Sequence, residues 1–275
     1  MRRYSRVDLE RSRKVRTFIK TVLRKYGVTL SKDLGQHFVV DRNLLNEMIK
    51  AVYTLSIRPV VFEIGTGIGL LTRELARRRK TYSIDIDFTL LRIAKREVLT
   101  GLDAELIGAD ALEFYPPKGS NVVVGNIPYS ISGPLIYRLM EDRHKPPAVL
   151  TVQKEFAEKI TAKPGTREAT STSVLLWNVY EPKIIASFPP ESFFPRPKVR
   201  SAIIVLKPKP EKCNYRILKR LTKIAFVSPN RKLKNTLSSI MDVPKRFASK
   251  RPRELSLDER CELVRLYMEE YKDRT

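Results

Sequence analysis

Apolar residues in the middle of the chain follow two alternating patterns: short unbroken runs typical of buried strands, and spaced positions typical of amphipathic helices. The runs predict seven strands: Pro59–Gly65, Thr81–Ile86, Ala104–Ala109, Asn121–Asn126, Ala148–Gln153, Ile184–Phe188 and Ser201–Lys207. The spaced positions predict helices at Gly69–Arg79, Phe88–Leu99, Ile131–Glu141, Lys154–Ala162 and Ser171–Tyr180. This alternation predicts an α/β fold with a seven-stranded, mainly parallel, doubly wound sheet covered by helices on both faces.

The two ends of the chain lack this alternation. Between residues 13 and 26 the apolar residues recur from Val15 at helical spacing, which predicts an amphipathic helix ending at Gly27. Asp41 is predicted to cap a helix over Arg42–Tyr53. After residue 208 the strand pattern stops, and three helices are predicted: Tyr215–Phe226, Arg231–Met241 and Leu257–Tyr271.

These patterns divide the chain into three regions. Residues 1–33 form a basic extension with an amphipathic helix, residues 34–208 form the α/β domain, and residues 209–275 form a small all-helical domain. The polar, proline-containing stretch Lys207-Pro-Lys-Pro210 marks the second boundary.

Positive charge is concentrated at both ends of the chain. The net charge is +23, residues 1–33 hold 11 Lys and Arg against 3 Asp and Glu, and residues 209–275 hold 18 against 9. Such an excess outside a catalytic core favours a polyanionic partner, above all nucleic acid; a generally basic soluble protein is the alternative. We predict no membrane partner, because no apolar run approaches the ~18 residues of a span and no basic stretch carries a broad aromatic-rich face.

Chemistry-bearing residues follow three successive predicted strands. The segment Glu63-Ile-Gly-Thr-Gly-Ile-Gly69 joins the first strand to a helix, where glycines and free N–H groups admit a ligand. Asp85 lies 20 residues after Gly65, the separation at which an acid meets ribose hydroxyls, and Asp110 closes the third strand. Either acid alone could be a helix cap or a surface ion-pair partner. Together they predict a nucleoside-bearing cofactor along the sheet edge.

Asn126-Ile-Pro-Tyr129 follows the fourth predicted strand at the same edge. The Asn126 amide oxygen and the carbonyl of Ile127 or Pro128 can accept both hydrogens of the exocyclic amine of a base, and the Tyr129 ring can stack on that base. An ordinary β-turn is the alternative for this segment.

These motifs, in this order, resemble the rRNA adenine N6,N6-dimethyltransferase family. The resemblance runs from Leu34 to the C-terminus and includes four motifs beside the glycine loop: Gly35-Gln-His-Phe38, Gly108-Ala-Asp-Ala-Leu112, Asn126-Ile-Pro-Tyr-Ser-Ile-Ser132 and Pro189-Pro-Glu-Ser-Phe193 with the following Pro195-Arg-Pro-Lys-Val199. It implies a Rossmann-like methyltransferase sheet and S-adenosylmethionine (SAM) as the cofactor. It also implies dimethylation of two adjacent adenosines near the 3′ end of small-subunit rRNA, a step in ribosome biogenesis.

The resemblance also implies roles for individual residues. The cofactor-binding residues would be His37, Val39, Glu63, Gly65, Gly67, Asp85, Asp110 and Asn126. Asn126, Ile127 and Pro128 would position the target amine, while Tyr129 and Phe193 would sandwich the target base. The RNA contacts of the helical domain would come from Arg231, Lys232 and Lys234. The chain departs from the family at His37, where Asn is more usual, and at Thr66, where Pro is more usual.

The remaining expectations concern surroundings and partners. The substrate is expected to be rRNA in the immature small ribosomal subunit, and the protein is expected to be a cytoplasmic monomer. Cys213 and Cys261 have neither metal-ligand spacing nor an evident partner, which fits a reducing compartment, and no metal site is predicted. Two alternatives stay open: an adenine methyltransferase acting on large-subunit rRNA or DNA, and a ribosome assembly factor that keeps the fold without the chemistry.

Overall fold

The computed structural model describes residues 2–3, 9–31, 35–56, 60–114 and 121–272. The predicted bounds at Leu34 and Pro59, and most of the first eight residues, lie outside this part of the chain. Two compact units form: Met1–Ala157 with Lys183–Lys207, and Glu158–Pro182 with Pro208–Thr275. One division between the units falls between Lys207 and Pro208, and residues 158–182 also belong to the second unit.

The first unit is built on one sheet, whose strands are β1 (Arg2–Arg3), β3 (Val61–Ile64), β4 (Thr81–Asp85), β5 (Ala104–Gly108), β6 (Val122–Asn126), β7 (Ala148–Gln153), β8 (Tyr180–Phe188) and β10 (Ser201–Pro208). Their order in the sheet is β1-β8-β10-β7-β6-β3-β4-β5. The five strands β3 to β7 run parallel, and β10 is antiparallel to β7. All seven predicted strands are confirmed, and β1 adds a two-residue edge strand beside β8.

Two short strands that sequence patterns did not predict form a second sheet. Strand β2 (Phe38–Val39) pairs antiparallel with β9 (Phe193–Phe194), with Phe38 opposite Phe194 and Val39 opposite Phe193. Asp41 caps the next helix as predicted, since its Oδ1 accepts the Asn43 N–H at 2.9 Å, and its Oδ2 accepts from the Ser192 hydroxyl at 2.8 Å. The cap therefore also holds the chain just before β9.

Helices cover the sheet or build the second unit. They are α1 (Leu9–Lys25), α2 (Arg42–Leu55), α3 (Leu70–Ala76), α4 (Phe88–Ile93), α5 (Ser132–Glu141), α6 (Lys154–Thr161), α7 (Ser171–Val179), α8 (Tyr215–Phe226), α9 (Lys245–Ala248) and α10 (Leu257–Lys272). A π-helical turn, Ala94–Val98, continues α4. In the described part of the chain, no helix is both long and apolar enough to span a bilayer.

The predicted helix over Arg231–Met241 is wrong. Only a 3-10 turn, Leu233–Asn235, forms there, and the short α9 follows it. The cause is tertiary: Leu233 is buried, and its N–H donates to the Lys250 carbonyl at 2.8 Å instead of to a carbonyl one turn earlier.

The second unit is crosslinked. Cys213, just before α8, forms a disulfide with Cys261 of α10, with their Cα atoms 5.3 Å apart. The Asn178 amide binds the backbone of Cys213 on both sides, with its Nδ2 2.9 Å from the carbonyl and its Oδ1 3.1 Å from the N–H. The prediction that the cysteines lack a partner is therefore wrong. Sequence patterns could not show this pair, because 48 residues separate the two cysteines and only the fold brings them together.

Candidate active site

The predicted cofactor residues meet in one cavity of about 240 Å³ at the carboxyl ends of β3, β4 and β6. All eight of them line it: His37, Val39, Glu63, Gly65, Gly67, Asp85, Asp110 and Asn126. Pro128 lines it as well. Residues from five separate stretches of the sequence therefore share one pocket, and four of these stretches lie at the ends of strands β3 to β6.

The glycine loop closes the floor of the cavity around Asp85. Gly65 and Gly67 both adopt positive φ, at 87° and 52°, and the Gly67 N–H donates to Asp85 Oδ2 at 2.7 Å. A Cβ on Gly67 would lie 2.9 Å from the Phe38 ring, so the loop can pack against β2 only without a side chain there.

Glu63 is fully buried beside the cavity. Its Oε2 accepts from the Thr72 hydroxyl at 2.5 Å and the Ser83 hydroxyl at 2.6 Å, whereas its Oε1 has no hydrogen-bond partner among the described residues. Burial raises the pKa of Glu63 to about 8, against the opposing effect of the two hydroxyls. A cation placed at Oε1 would favour the charged carboxylate and lower this pKa.

Thr66, one of the two departures from the family pattern, belongs to this network. Its hydroxyl lies 2.7 Å from that of Ser83. Because the Ser83 proton goes to Glu63, Thr66 is the donor in this pair. The hydroxyl of Thr66 therefore extends a chain of hydrogen bonds that ends on Glu63.

Asp85 and Asp110 present carboxylate oxygens along the cavity. Asp85 accepts the N–H groups of Gly67 and Asp87, and Asp110 Oδ1 accepts the Leu112 N–H at 2.7 Å. Burial raises the pKa of Asp85, and these backbone donors oppose that rise. Each carboxylate has about four acceptor positions, so both can still bind hydroxyl or amine donors of a ligand.

Ile86 is among the lining residues that sequence patterns did not predict. It stands between Asp85 and Asp87 with 51% of its surface exposed, which is unusual for an isoleucine. It offers an apolar face for a flat ring. The alternation Asp-Ile-Asp at a strand end was the available signal.

Asn126 is held in one orientation. Its Nδ2 donates to the His37 carbonyl at 2.6 Å, so Oδ1 is the end left to accept a further hydrogen bond. The Pro128 carbonyl already accepts the Ile131 N–H at 3.1 Å and the Ser132 hydroxyl at 3.2 Å. No described residue donates to the Ile127 carbonyl.

His37 lies beside this loop in space although it is remote in sequence. Its Nδ1 is 2.8 Å from the Pro195 carbonyl, which can only accept, so Nδ1 carries the hydrogen. Its ring centroid is 5.9 Å from that of Tyr129, whose hydroxyl lies 2.8 Å from Ser201 Oγ. His37 thus joins the cofactor cavity to the segment that follows β9.

Phe193 does not have the open ring face predicted for it. Its side chain is 1% exposed and packs in the core with Val39, Leu44 and Met48. The pairing of β9 with β2 turns this ring inward, because successive residues of a strand point to opposite faces. In this structure Phe193 therefore anchors the segment and does not flank an open base site.

The predicted RNA contacts Arg231, Lys232 and Lys234 belong to the second unit. All three are exposed, and within the described ranges none lies in an ion pair. They are placed on the turn before Leu233 and at its 3-10 helix, not on a long helix.

A parallel core with a glycine loop after its first strand, acids at the next two strand ends and one reversed strand defines a Rossmann-like methyltransferase. A sequence model of one family of such enzymes, described as ribosomal RNA adenine dimethylase, matches residues 27–271. The chain belongs to this family, and it is a SAM-dependent rRNA adenine methyltransferase.

Three relatives illustrate the likeness. A "Probable ribosomal RNA small subunit methyltransferase A" of Methanopyrus kandleri is 35% identical over 218 residues, 78% of each chain. The crystal structure of a dimethyladenosine transferase from Plasmodium falciparum has a TM-score of 0.72 and 26% identity, covering 85% of this chain and 96% of that one. The crystal structure of the 23S rRNA methyltransferase ErmE has a TM-score of 0.66 and 29% identity, covering 82% and 99%.

Proposed function

We propose that the protein transfers methyl groups to N6 of two adjacent adenosines near the 3′ end of small-subunit rRNA. The observation that carries this proposal is Asn126, whose amide is fixed by the His37 carbonyl at the wall of the cavity that Gly65, Asp85 and Asp110 also line. An oriented amide oxygen beside a nucleoside cavity suits an exocyclic amine as the methyl acceptor.

The residues of the cavity fit SAM. Asp85 and Asp110 offer acceptors for ribose hydroxyls and an adenine amine, and exposed Ile86 offers an apolar face. The unpartnered Oε1 of buried Glu63 suits a cationic group. When bound, SAM supplies a methyl group activated by its positively charged sulfur.

Asn126 Oδ1 and one backbone carbonyl accept the two hydrogens of the target amine. The Ile127 carbonyl is the better second acceptor, because the Pro128 carbonyl already accepts two hydrogen bonds. Together they draw the amine nitrogen away from conjugation with the ring and aim its lone pair at the methyl donor. No strong base is required at Asn126, because the methylated ammonium product is acidic and loses its proton readily.

Tyr129 is the aromatic platform for the target adenine, which leaves its own stack to reach the cavity. Its hydroxyl is fixed by Ser201, which holds the ring in place. Phe193 supports this site from the core, and a direct role in stacking would require its segment to rearrange.

We infer further that the substrate is rRNA in the immature small subunit. The protein acts as a cytoplasmic monomer, and the exposed Arg231, Lys232 and Lys234 of the helical unit contact RNA phosphates. The likeness to a 23S rRNA methyltransferase makes large-subunit rRNA the second candidate substrate.

Methyl transfer from tritiated SAM to immature small subunits, followed by nucleoside analysis and mapping of the labelled positions, tests the proposal. We expect N6,N6-dimethyladenosine at two neighbouring positions near the 3′ end. Label found only in large-subunit rRNA would favour the second candidate. Absence of transfer together with RNA binding would favour an assembly factor. Asn126→Ala provides the inactive control.

A further inference from the structure

Helix α1 contacts the segment that carries β9. The Arg16 guanidinium donates to the Glu191 carbonyl, and the Lys20 ammonium lies 5.6 Å from the centroid of the Phe194 ring. The adjacent face of the helix is buried, with Ile19, Val22 and Leu23 packed in one cluster with Phe38. All of α1 precedes residues 27–271, the range that the family model matches.

The outer face of α1 carries a row of cations. Arg13, Arg16, Lys20 and Arg24 fall within a sector of about 80°, and they span about 16 Å along the axis of an ideal helix. We call these four residues the α1 cation row. Arg13, Lys20 and Arg24 are exposed, and no described carboxylate lies within ion-pair distance of them, whereas Lys25, outside the row, pairs with Glu97 at 2.8 Å.

A second group of cations lies on the segment itself. Arg196, Lys198 and Arg200 follow β9 and are exposed. Arg16 and Arg196 are close enough to repel. The pKa of Arg16 is held below its usual value first by partial burial and then by Arg196, with Glu191 opposing both. Within the described ranges, Glu191 is the one carboxylate in ion-pair distance of this group, 3.5 Å from Arg196.

We infer that the α1 cation row, together with Arg196, binds RNA phosphates next to the nucleotide whose base enters the cavity; this rests on the proposed function. The Lys20 ammonium contacts the Phe194 ring, and Phe194 pairs with Phe38 across the two short strands. Phe38 directly follows His37, which lines the cavity. A backbone that delivers a base to the cavity therefore passes this cationic surface. A lipid surface fits less well, because the exposed Phe18 lies about 140° around the helix from Arg13.

The test compares two triple variants of equal charge change. Arg13→Gln/Lys20→Gln/Arg24→Gln removes most of the row but keeps Arg16, which has a structural contact. The matched control, Arg77→Gln/Arg78→Gln/Arg79→Gln, removes three exposed cations between α3 and β4, at the opposite end of the strands from the cavity. Binding to a labelled 3′-terminal fragment of small-subunit rRNA is measured from 0.05 to 0.5 M salt.

We expect the row variant to lose about 2 units of salt slope, because each single-strand phosphate contact contributes ~0.7. Its RNA affinity should fall roughly 10- to 100-fold at 0.1 M salt, while the control should keep the wild-type slope. SAM affinity by calorimetry and the thermal midpoint should match wild type in both variants, which separates lost contacts from misfolding. Arg13→Lys/Lys20→Arg/Arg24→Lys should restore the slope.

A wild-type slope in the row variant, or equal weakening in both variants, would overturn the assignment. The proposed function is judged separately, from mapped methylation by the wild-type enzyme. If wild type methylates the expected adenosines and the row variant binds RNA as well as wild type does, only the assignment of α1 fails.

Discussion

The proposed function gives Glu63 opposite effects on stability and on cofactor binding, and replacing it with Gln separates the two effects. The native state holds a proton on this buried carboxyl up to about pH 8, whereas a glutamate carboxyl in water has a pKa of 4.5. Between these values the unfolded chain releases a proton that the native state keeps, so the free energy of unfolding falls as pH rises. The full difference amounts to roughly 5 kcal/mol, with a slope of about 1.4 kcal/mol per pH unit.

Glu63→Gln has no proton to lose, and its amide oxygen can still accept from Thr72 and Ser83. We expect the variant to match wild type in urea unfolding near pH 5 and to exceed it by several kcal/mol at pH 8.5. Glu105→Gln, which changes an exposed carboxylate on β5, is the control and should leave the pH dependence unaltered. Equal pH slopes for wild type and Glu63→Gln would show that Glu63 is not a buried neutral acid.

The same substitution should weaken SAM binding. A cationic ligand beside Oε1 favours the carboxylate, so binding to wild type at pH 7 should release up to one proton, and binding to the Gln variant none from this site. Calorimetry in buffers with different ionisation enthalpies measures this directly. Proton release that persists in Glu63→Gln would place the titrating group elsewhere.

Three further outcomes follow from the geometry. Asn126→Ala should lower the rate of methyl transfer by about 10²- to 10³-fold while SAM affinity changes little, and near wild-type transfer would refute its role. Gly125→Ala should cost about 3 kcal/mol or more in urea unfolding, because the new Cβ would lie 2.4 Å from the Ile64 carbonyl oxygen; Gly133→Ala, with open space, is the control. Cys213→Ser/Cys261→Ser should lower the free energy of unfolding by about 2–4 kcal/mol, and the wild-type protein in reductant should show the same loss. An unchanged thermal midpoint in reductant would mean that the bond does not form in solution.

The predicted strands place the residues at their carboxyl ends around one cavity. Parallel pairing sets Ile64 beside Ile84 and Gly125, so the residues that follow each strand converge without any further contact having to be known. The hydrophobic runs that define these strands also fix which end is which. The order and direction of the strands therefore implied the positions of the lining residues at strand ends, whereas His37 and Val39 came only from the family resemblance.

Sequence patterns did not predict contacts between segments that are far apart in the chain. Strands β2 and β9 have two residues each, too few to show a period, and their pairing decides that Phe193 points into the core. The buried N–H of Leu233 finds its acceptor at Lys250, which removes a helix that local spacing favoured. The Cys213–Cys261 bond depends in the same way on a fold-level juxtaposition.

In the proposed function, the β2–β9 ribbon forms a wall shared by the cofactor site and the site of the target base. His37 lines the cofactor cavity, its carbonyl holds Asn126, and its ring nitrogen meets Pro195 beyond β9. A ligand that stiffens this ribbon lowers the ordering cost for the next one, and thermodynamic linkage makes the effect mutual. Saturation with cofactor should therefore change the dissociation constant for RNA, and saturation with RNA should change the dissociation constant for cofactor by the same factor.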